Sequence, residues 1–235
     1  MKKVMNIVFA VMLMTAVVCI VGCKKEAYNG GGHYEGNYEY VDLGLPSGTL
    51  WATFNVGARV PEEYGDYVAW GEVDPKETYD WTTYRYCNGG QYQFTKYCLF
   101  AECGYNGFTD TLVTLQPMDD AATIKWGSEW CTPTREQLKE LQENTISEWT
   151  TQNGVNGCLF VGSNGKSIFM PAAGSSFDGD AAGNYGYYWS STLHKNTHRD
   201  HCRAWSLSFD SSPFLSVQGN GRSAGLSVRP VRVSQ

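Results

Sequence analysis

The chain has 235 residues, a formal charge of −6, 26 glycines, 14% aromatic and 18% charged residues. A net negative charge without any basic run excludes a nucleic-acid partner on electrostatic grounds. Few charges with many aromatics and glycines favour a fold of many short strands and turns.

The N-terminus reads as a targeting segment. Lys2 and Lys3 precede an uncharged apolar run, Val4 to Val21, the pattern of a secretory signal over residues 1–22. Ile20-Val21-Gly22-Cys23 resembles a bacterial lipobox, which makes Cys23 the expected lipidation site and predicts a lipid-anchored protein of the outer membrane or cell surface. An uncut signal anchor is the competing reading, since about 18 apolar residues suffice to span a membrane. Residues 23–38 form a Gly-rich tether; about 15 flexible residues reach roughly 20 Å from the lipid.

Residues 39–235 are expected to form one domain. Val41, Leu43 and Leu45 alternate up to the turn at Pro46-Ser47-Gly48, and Leu50 to Val56 follows as a second strand. Gly65 to Val73 reads as a strand from its aromatic and β-branched content. Lys76 to Phe108 is dominated by Tyr, Trp, Asn and Gly and reads as a long irregular insertion. Met118 to Lys125 predicts a helical turn or two, with Asp119 and Asp120 near its N-terminal end. Thr134 to Glu143 predicts a helix: Thr134 and Gln137 have capping-box spacing, and Leu138 and Leu141 share a face. Gly157–Val161 and Ser167–Met170 read as a hairpin around Gly162-Ser163-Asn164-Gly165. Six cysteines remain beyond the signal and Cys23: Cys87, Cys98, Cys103, Cys131, Cys158 and Cys202. An even count in an exported chain is consistent with disulfides, buried free thiols being the alternative.

The last stretch alternates most clearly. Trp205, Leu207 and Phe209 fall on one face of a strand, Ser206, Ser208 and Asp210 on the other. After the turn Asp210-Ser211-Ser212-Pro213, Leu215 and Val217 point inward, and Phe214, Ser216 and Gln218 outward. Gly219-Asn220-Gly221 and Arg222 then lead to a final strand, Leu226 to Val233, while Thr192 to His201 is a polar loop. Small, exchangeable side chains on one sheet face suit a display surface; most of the 15 Tyr and 8 Trp read as core and sheet filling, and the functional reading makes exposed ones such as Tyr187 and Tyr188 anchors for a ligand.

Three blocks carry a family resemblance: YVDLGLPSGTLWATFNVGA (Tyr40–Ala58), WCTPTREQLKEL with NGVNG and SIFMPAAG (Trp130–Gly174), and YYWSST, AWSLSF and GRSAGLSVRP (Tyr187–Pro230). Together they resemble the major paralogous domain first described from Fibrobacter and abundant in Bacteroidetes lipoproteins. The resemblance implies an α+β, C-type lectin-like (formylglycine-generating-enzyme-like) domain with short antiparallel strands, one or two helices and long loops. The same fold carries the variable proteins of diversity-generating retroelements, whose C-terminal residues are varied for ligand binding. On that resemblance the ligand-binding positions are Ser206, Ser208, Asp210, Phe214, Ser216, Gln218, Gly219, Asn220, Gly221, Ser223, Ala224 and Leu226. The scaffold would be Trp189, Ala204, Trp205, Leu207, Phe209, Leu215, Val217, Arg222, Gly225 and Ser227-Val228-Arg229-Pro230.

The chemical alternatives are weaker. His194, His198 and His201 with Cys202 have helical metal-ligand spacing, but the residues between them carry no apolar stripe, so a polar loop is the preferred reading. No GxSxG occurs, and the cysteine pair that formylglycine chemistry needs cannot be placed. The Pro- and Asp-containing signatures of calcium-dependent lectins are missing, with Trp189-Ser190-Ser191 where the second would stand. The expectation is therefore a surface-displayed binding lipoprotein, not an enzyme, without metal or cofactor, whose partner is a protein or glycan on another cell, host or phage. An invariant adhesin or glycan-binding module of the same fold is the alternative, and a formylglycine-generating type of enzyme the remote one.

Overall fold

A computed structural model describes residues 38–176, 181–212 and 215–233. The signal, Cys23 and Phe214 lie outside the described residues, as does the tether up to residue 37. The described chain is α+β, built of small antiparallel sheets with few helices. None of its helices is long and apolar enough to cross a membrane.

The first sheet joins the two ends of the described chain. Strand β1 (Tyr40–Asp42) pairs with β2 (Thr49–Ala52), and β2 with the last strand, β9 (Val231–Val233). The turn between β1 and β2 places Leu43 and Leu45 in the core.

Gly65 to Val73, expected as a strand, is irregular. Only Val68 bridges, opposite Leu226, and Gly65 and Gly71 take φ of +73° and +83°. A side chain at Gly65 would put its Cβ 2.3 Å from the Val56 carbonyl oxygen, so the chain can turn there only on glycine. The apolar content that looked like a strand serves a core instead: Val68, Ala69 and Trp70 are buried. The insertion that follows has no strand among its described residues and only two short 3-10 turns. It is ordered by Asp119, whose buried carboxylate accepts from the Tyr86 and Tyr97 hydroxyls and from Lys96 Nζ at 2.6 Å.

Helix α1 (Ala121–Trp126) begins at Asp120, whose carboxylate accepts from the Ala122 and Thr123 amides and also from Thr132. Helix α2 (Arg135–Asn144) has the capping box foreseen in the sequence: Thr134 Oγ1 accepts from the Gln137 amide and Gln137 Oε1 from the Thr134 amide. Its Leu138 and Leu141 are fully buried.

The second sheet holds β3 (Thr145–Gln152), β4 (Val155–Gly162) and β5 (Ser167–Pro171), in that order. The β4–β5 hairpin was legible; β3 was not. It is an exposed edge strand, so its pattern TISEWTTQ lacks the apolar alternation a half-buried strand shows. The third sheet is β6 (Tyr185–Leu193), β7 (Arg203–Asp210) and β8 (Leu215–Gly221).

The third sheet separates two cores. Trp189 and Ala204 belong to one, with Trp70, Tyr84, Phe94 and Tyr97. Tyr188, Leu207 and Phe209 belong to the other, with Leu138, Leu141 and Phe160. A sheet covered on both sides along part of its length buries small polar side chains as well as apolar ones.

Candidate functional site

The register of the third sheet decides which C-terminal side chains can meet a ligand. Leu207 pairs with Val217 and Phe209 with Leu215, while Ser206 pairs with Gln218 and Ser208 with Ser216. The inward and outward sets read from the alternation therefore do lie on opposite faces of β7 and β8. On β6, Tyr187 pairs with Ser208 and Tyr185 with Asp210, which brings both tyrosines onto the serine face. Their rings lie 6.1 Å apart at 15°.

Exposure corrects the candidate list. Ser206 and Ser208 are buried, at 0% and 2% exposure. The Ser206 hydroxyl donates to the Gln218 carbonyl and accepts from Asn220 Nδ2 at 2.7 Å, and Ser208 Oγ accepts from Gln218 Nε2 at 2.9 Å. The two serines form a floor under longer amides and present no free surface. Gly219 and Gly221 point to the other face, opposite Trp205 and Arg203. A Cβ on Gly219 would sit 2.9 Å from the His194 ring. Ser223 and Leu226 are buried, Leu226 through its ladder with Val68, and Ala224 packs half-buried against the first core. The burial of all three reflects the chain turning back into the domain after Arg222. Tyr188, expected as an exposed anchor, is fully buried; its ring stacks on Phe209 and its hydroxyl donates to the Pro171 carbonyl.

Half-exposed positions on the serine face are Tyr187, Ser216, Gln218 and Asn220, with exposed Tyr185 and, at the strand end, Asp210. Tyr185 was missed, although its i, i+2 spacing to Tyr187 is the same strand alternation that singled out the serines.

The Thr192–His201 loop divides. Residues 195–199 are exposed, whereas His194, His201 and Cys202 are buried. His194 stacks on Trp205 with ring centroids 4.1 Å apart, and the Arg135 guanidinium also lies 4.1 Å from that indole. Trp205, expected in the core, is thus half-exposed, held by the stacked imidazole and the guanidinium. His201 is far inside, with Nε2 accepting from the Leu99 amide at 3.1 Å and Phe94 and Phe100 edge-on. The three histidines and Cys202 do not converge, and no metal-holding group of His, Cys, Asp or Glu occurs among the described residues.

All six domain cysteines are free thiols, which answers the question left open by their even number. Burial raises the thiols, Cys158 to about 12 and Cys103 and Cys131 to about 11. Thiols held protonated in this way are poor nucleophiles.

Burial, and then the neighbouring Arg222, pushes the His201 imidazole from 6.5 down to about 4. The folded state keeps it neutral, while the unfolded chain takes up a proton first. Stability should therefore be unaffected by this group above pH 6.5 and fall as pH drops from about 6.5 to about 4, by roughly 3 kcal/mol. Urea unfolding at several pH values should show His201→Gln losing that part of the acid sensitivity. An unchanged pH dependence in the variant would contradict the assignment.

Comparison of the chain with protein-family models, curated proteins and solved structures gives no match.

Proposed function

We propose that this chain is a lipid-anchored ligand-binding protein of the cell envelope, with a C-type lectin-like domain, and that it binds through the serine face of its third sheet. The α+β arrangement of short antiparallel sheets, two helices and long irregular segments is compatible with that fold. The observation that carries the reading is the layering of this face. Exposed Tyr185 and half-exposed Tyr187, Ser216, Gln218 and Asn220 present phenols, a hydroxyl and amides on a strand floor fixed by Ser206, Ser208 and the core behind it. Side chains in the upper layer can change without repacking the floor, which is what a diversified binding surface requires. The proposed partner is a protein or glycan on another cell, host or phage, and the proposed source of diversity is a retroelement.

Deep sequencing of the gene's 3′ end in an expanded clonal population tests this. Substitutions should gather at Asp210, Ser216, Gln218 and Asn220 and spare Trp205, Ser206, Leu207 and Phe209. A uniform sequence would overturn the diversified reading. It would leave the invariant adhesin, for which the near-parallel Tyr185 and Tyr187 rings, with Gln218 on the same face, supply the aromatic and amide contacts a glycan uses.

A further inference from the structure

The face of the third sheet opposite the serines ends in a cluster of basic side chains. On β7, Arg203 stands two residues before Trp205 and shares its face, and both pair with glycines of β8, Gly221 and Gly219. Helix α2 brings Arg135 to the same place. Its amide donates to Thr192 Oγ1 at 3.0 Å, and its guanidinium lies over the Trp205 indole. His194 enters from just past the end of β6, its amide donating to the Arg203 carbonyl at 3.1 Å and its ring stacked on Trp205. The glycines make room for this. A Cβ on Gly219 would sit 2.9 Å from the His194 ring and 3.3 Å from Arg203 Cδ, so both side chains use space that a larger residue would fill. A Cβ on Gly221 would meet nothing within 4 Å, which leaves open space beside Arg203.

The hydrogen bonding of this cluster is incomplete. His194 is 8% exposed, and its Nδ1, like Arg135 Nε, is buried without a partner among the described residues. A buried donor left unpaired costs about 1–3 kcal/mol, and two in one place ask for an acceptor. Arg203 is exposed and forms no ion pair with a described carboxylate. Arg135 has only Glu136, 3.8 Å away and largely in solvent. The acidic neighbour of His194 is Asp200, whose carboxylate already accepts from Thr197 Oγ1 at 2.7 Å. Burial holds the His194 imidazole below its ordinary 6.5; Asp200 opposes that shift, and Arg203 and Arg135 add to it. Two guanidiniums and an imidazole thus lie within electrostatic reach of one another, on a chain whose formal charge is −6. An anion would relieve their mutual repulsion.

We propose that this cluster binds a phosphate group, with Arg135 and Arg203 clamping its oxygens and His194 donating a further hydrogen bond. The planar guanidinium fork meets phosphate oxygens two at a time. A phosphate also offers more acceptor oxygens to three donor groups than the two of a carboxylate. The stacked imidazole and guanidinium need only slide along the indole to bring their buried nitrogens to the anion. The phosphate can be free in solution or the headgroup of a lipid, and the experiment separates the two. The site lies on the opposite face from the serines and stands whether or not that face binds anything.

NMR titration of the full chain in detergent, with inorganic phosphate and with dihexanoyl phosphatidic acid as probes, tests it. The Trp205 indole and His194 ring signals should move together, with a Kd on the order of 1 mM for inorganic phosphate. Tighter binding of the lipid would support a headgroup as the source, and equal or weaker binding a soluble phosphate. Arg203→Ala removes an exposed side chain and should weaken binding about tenfold. Arg135→Ala should weaken it at least as much, and Arg135→Lys should restore part of the loss. Asp200→Asn should tighten binding about threefold, a gain that damage to the fold would not produce. Gln218→Ala, on the serine face, should leave binding unchanged. Absence of saturable shifts with both probes would overturn the proposal. So would binding that survives both Arg203→Ala and Arg135→Ala, or acetate bound as tightly as phosphate. Binding abolished by Gln218→Ala alone would move the anion to the serine face and sink this site while supporting the other reading.

Discussion

Replacing Arg222 with alanine is expected to cost about 3–5 kcal/mol, a large part of the 5–15 kcal/mol that holds an ordinary domain folded. The guanidinium is fully buried, and no described carboxylate pairs with it. Instead Nε donates to the Tyr84 hydroxyl at 3.2 Å, Nη1 to the carbonyls of Tyr97 and His201 at 3.1 and 3.4 Å, and Nη2 to that of Lys96 at 3.1 Å. The planar fork also lies 4.2 Å from the Phe94 ring centroid and 5.1 Å from that of Trp70. Alanine would leave three carbonyls and a phenol short of donors and open a void among aromatic rings. Because those carbonyls belong to the long insertion and to the loop before β7, hydrogen exchange should quicken from Tyr84 to Cys103 as well as in β8. Arg222→Lys should rescue little, since a single ammonium cannot reach the three directions the fork serves. Exposed Arg203→Ala is the control and should stay within about 0.5 kcal/mol. Urea unfolding measures all three, and a cost for Arg222→Ala near that of the control would refute its role as the tie.

Leu207→Ala is the second large effect, expected at about 2–5 kcal/mol. Leu207 is fully buried among Leu138, Leu141 and Phe160 and sits between Tyr188 and Val217 in the sheet. A rigid strand flanked on both sides cannot collapse into the space that alanine leaves. Its neighbour Ser208 is nearly as buried, yet Ser208→Ala should cost only about 0.5–1.5 kcal/mol. It deletes one hydrogen bond from Gln218 Nε2, and the half-exposed Gln218 can turn to water. Equal costs at the two positions, measured by the same unfolding experiment, would overturn the register of β7 and with it the division of the sheet into faces.

How far the sequence reached can be seen on this sheet. Period-2 alternation sorts side chains onto two faces, because successive residues of a strand point opposite ways whatever surrounds them. That is why Leu207 and Phe209, and Leu215 and Val217, were rightly placed on one face against Ser206 and Ser208. Alternation carries no information on what covers a face. Ser206 and Ser208 looked like solvent positions because they are small and polar, and only pairing with β8 brings Gln218 and Asn220 over them.

By itself the sequence determined the local features: the capping box of Thr134 and Gln137, the β4–β5 hairpin, the alternating faces of β7 and β8, and the irregular insertion after Lys76. Each depends on residues a few positions apart, whose backbone geometry and hydrogen-bonding groups act on one another directly. Only the tertiary structure decided which of those faces meets solvent, that six cysteines stay as thiols, and that Arg222 and His201 lie in the interior. Those outcomes depend on which distant segments pack together, and burial is a property of that packing that no short stretch of chain contains.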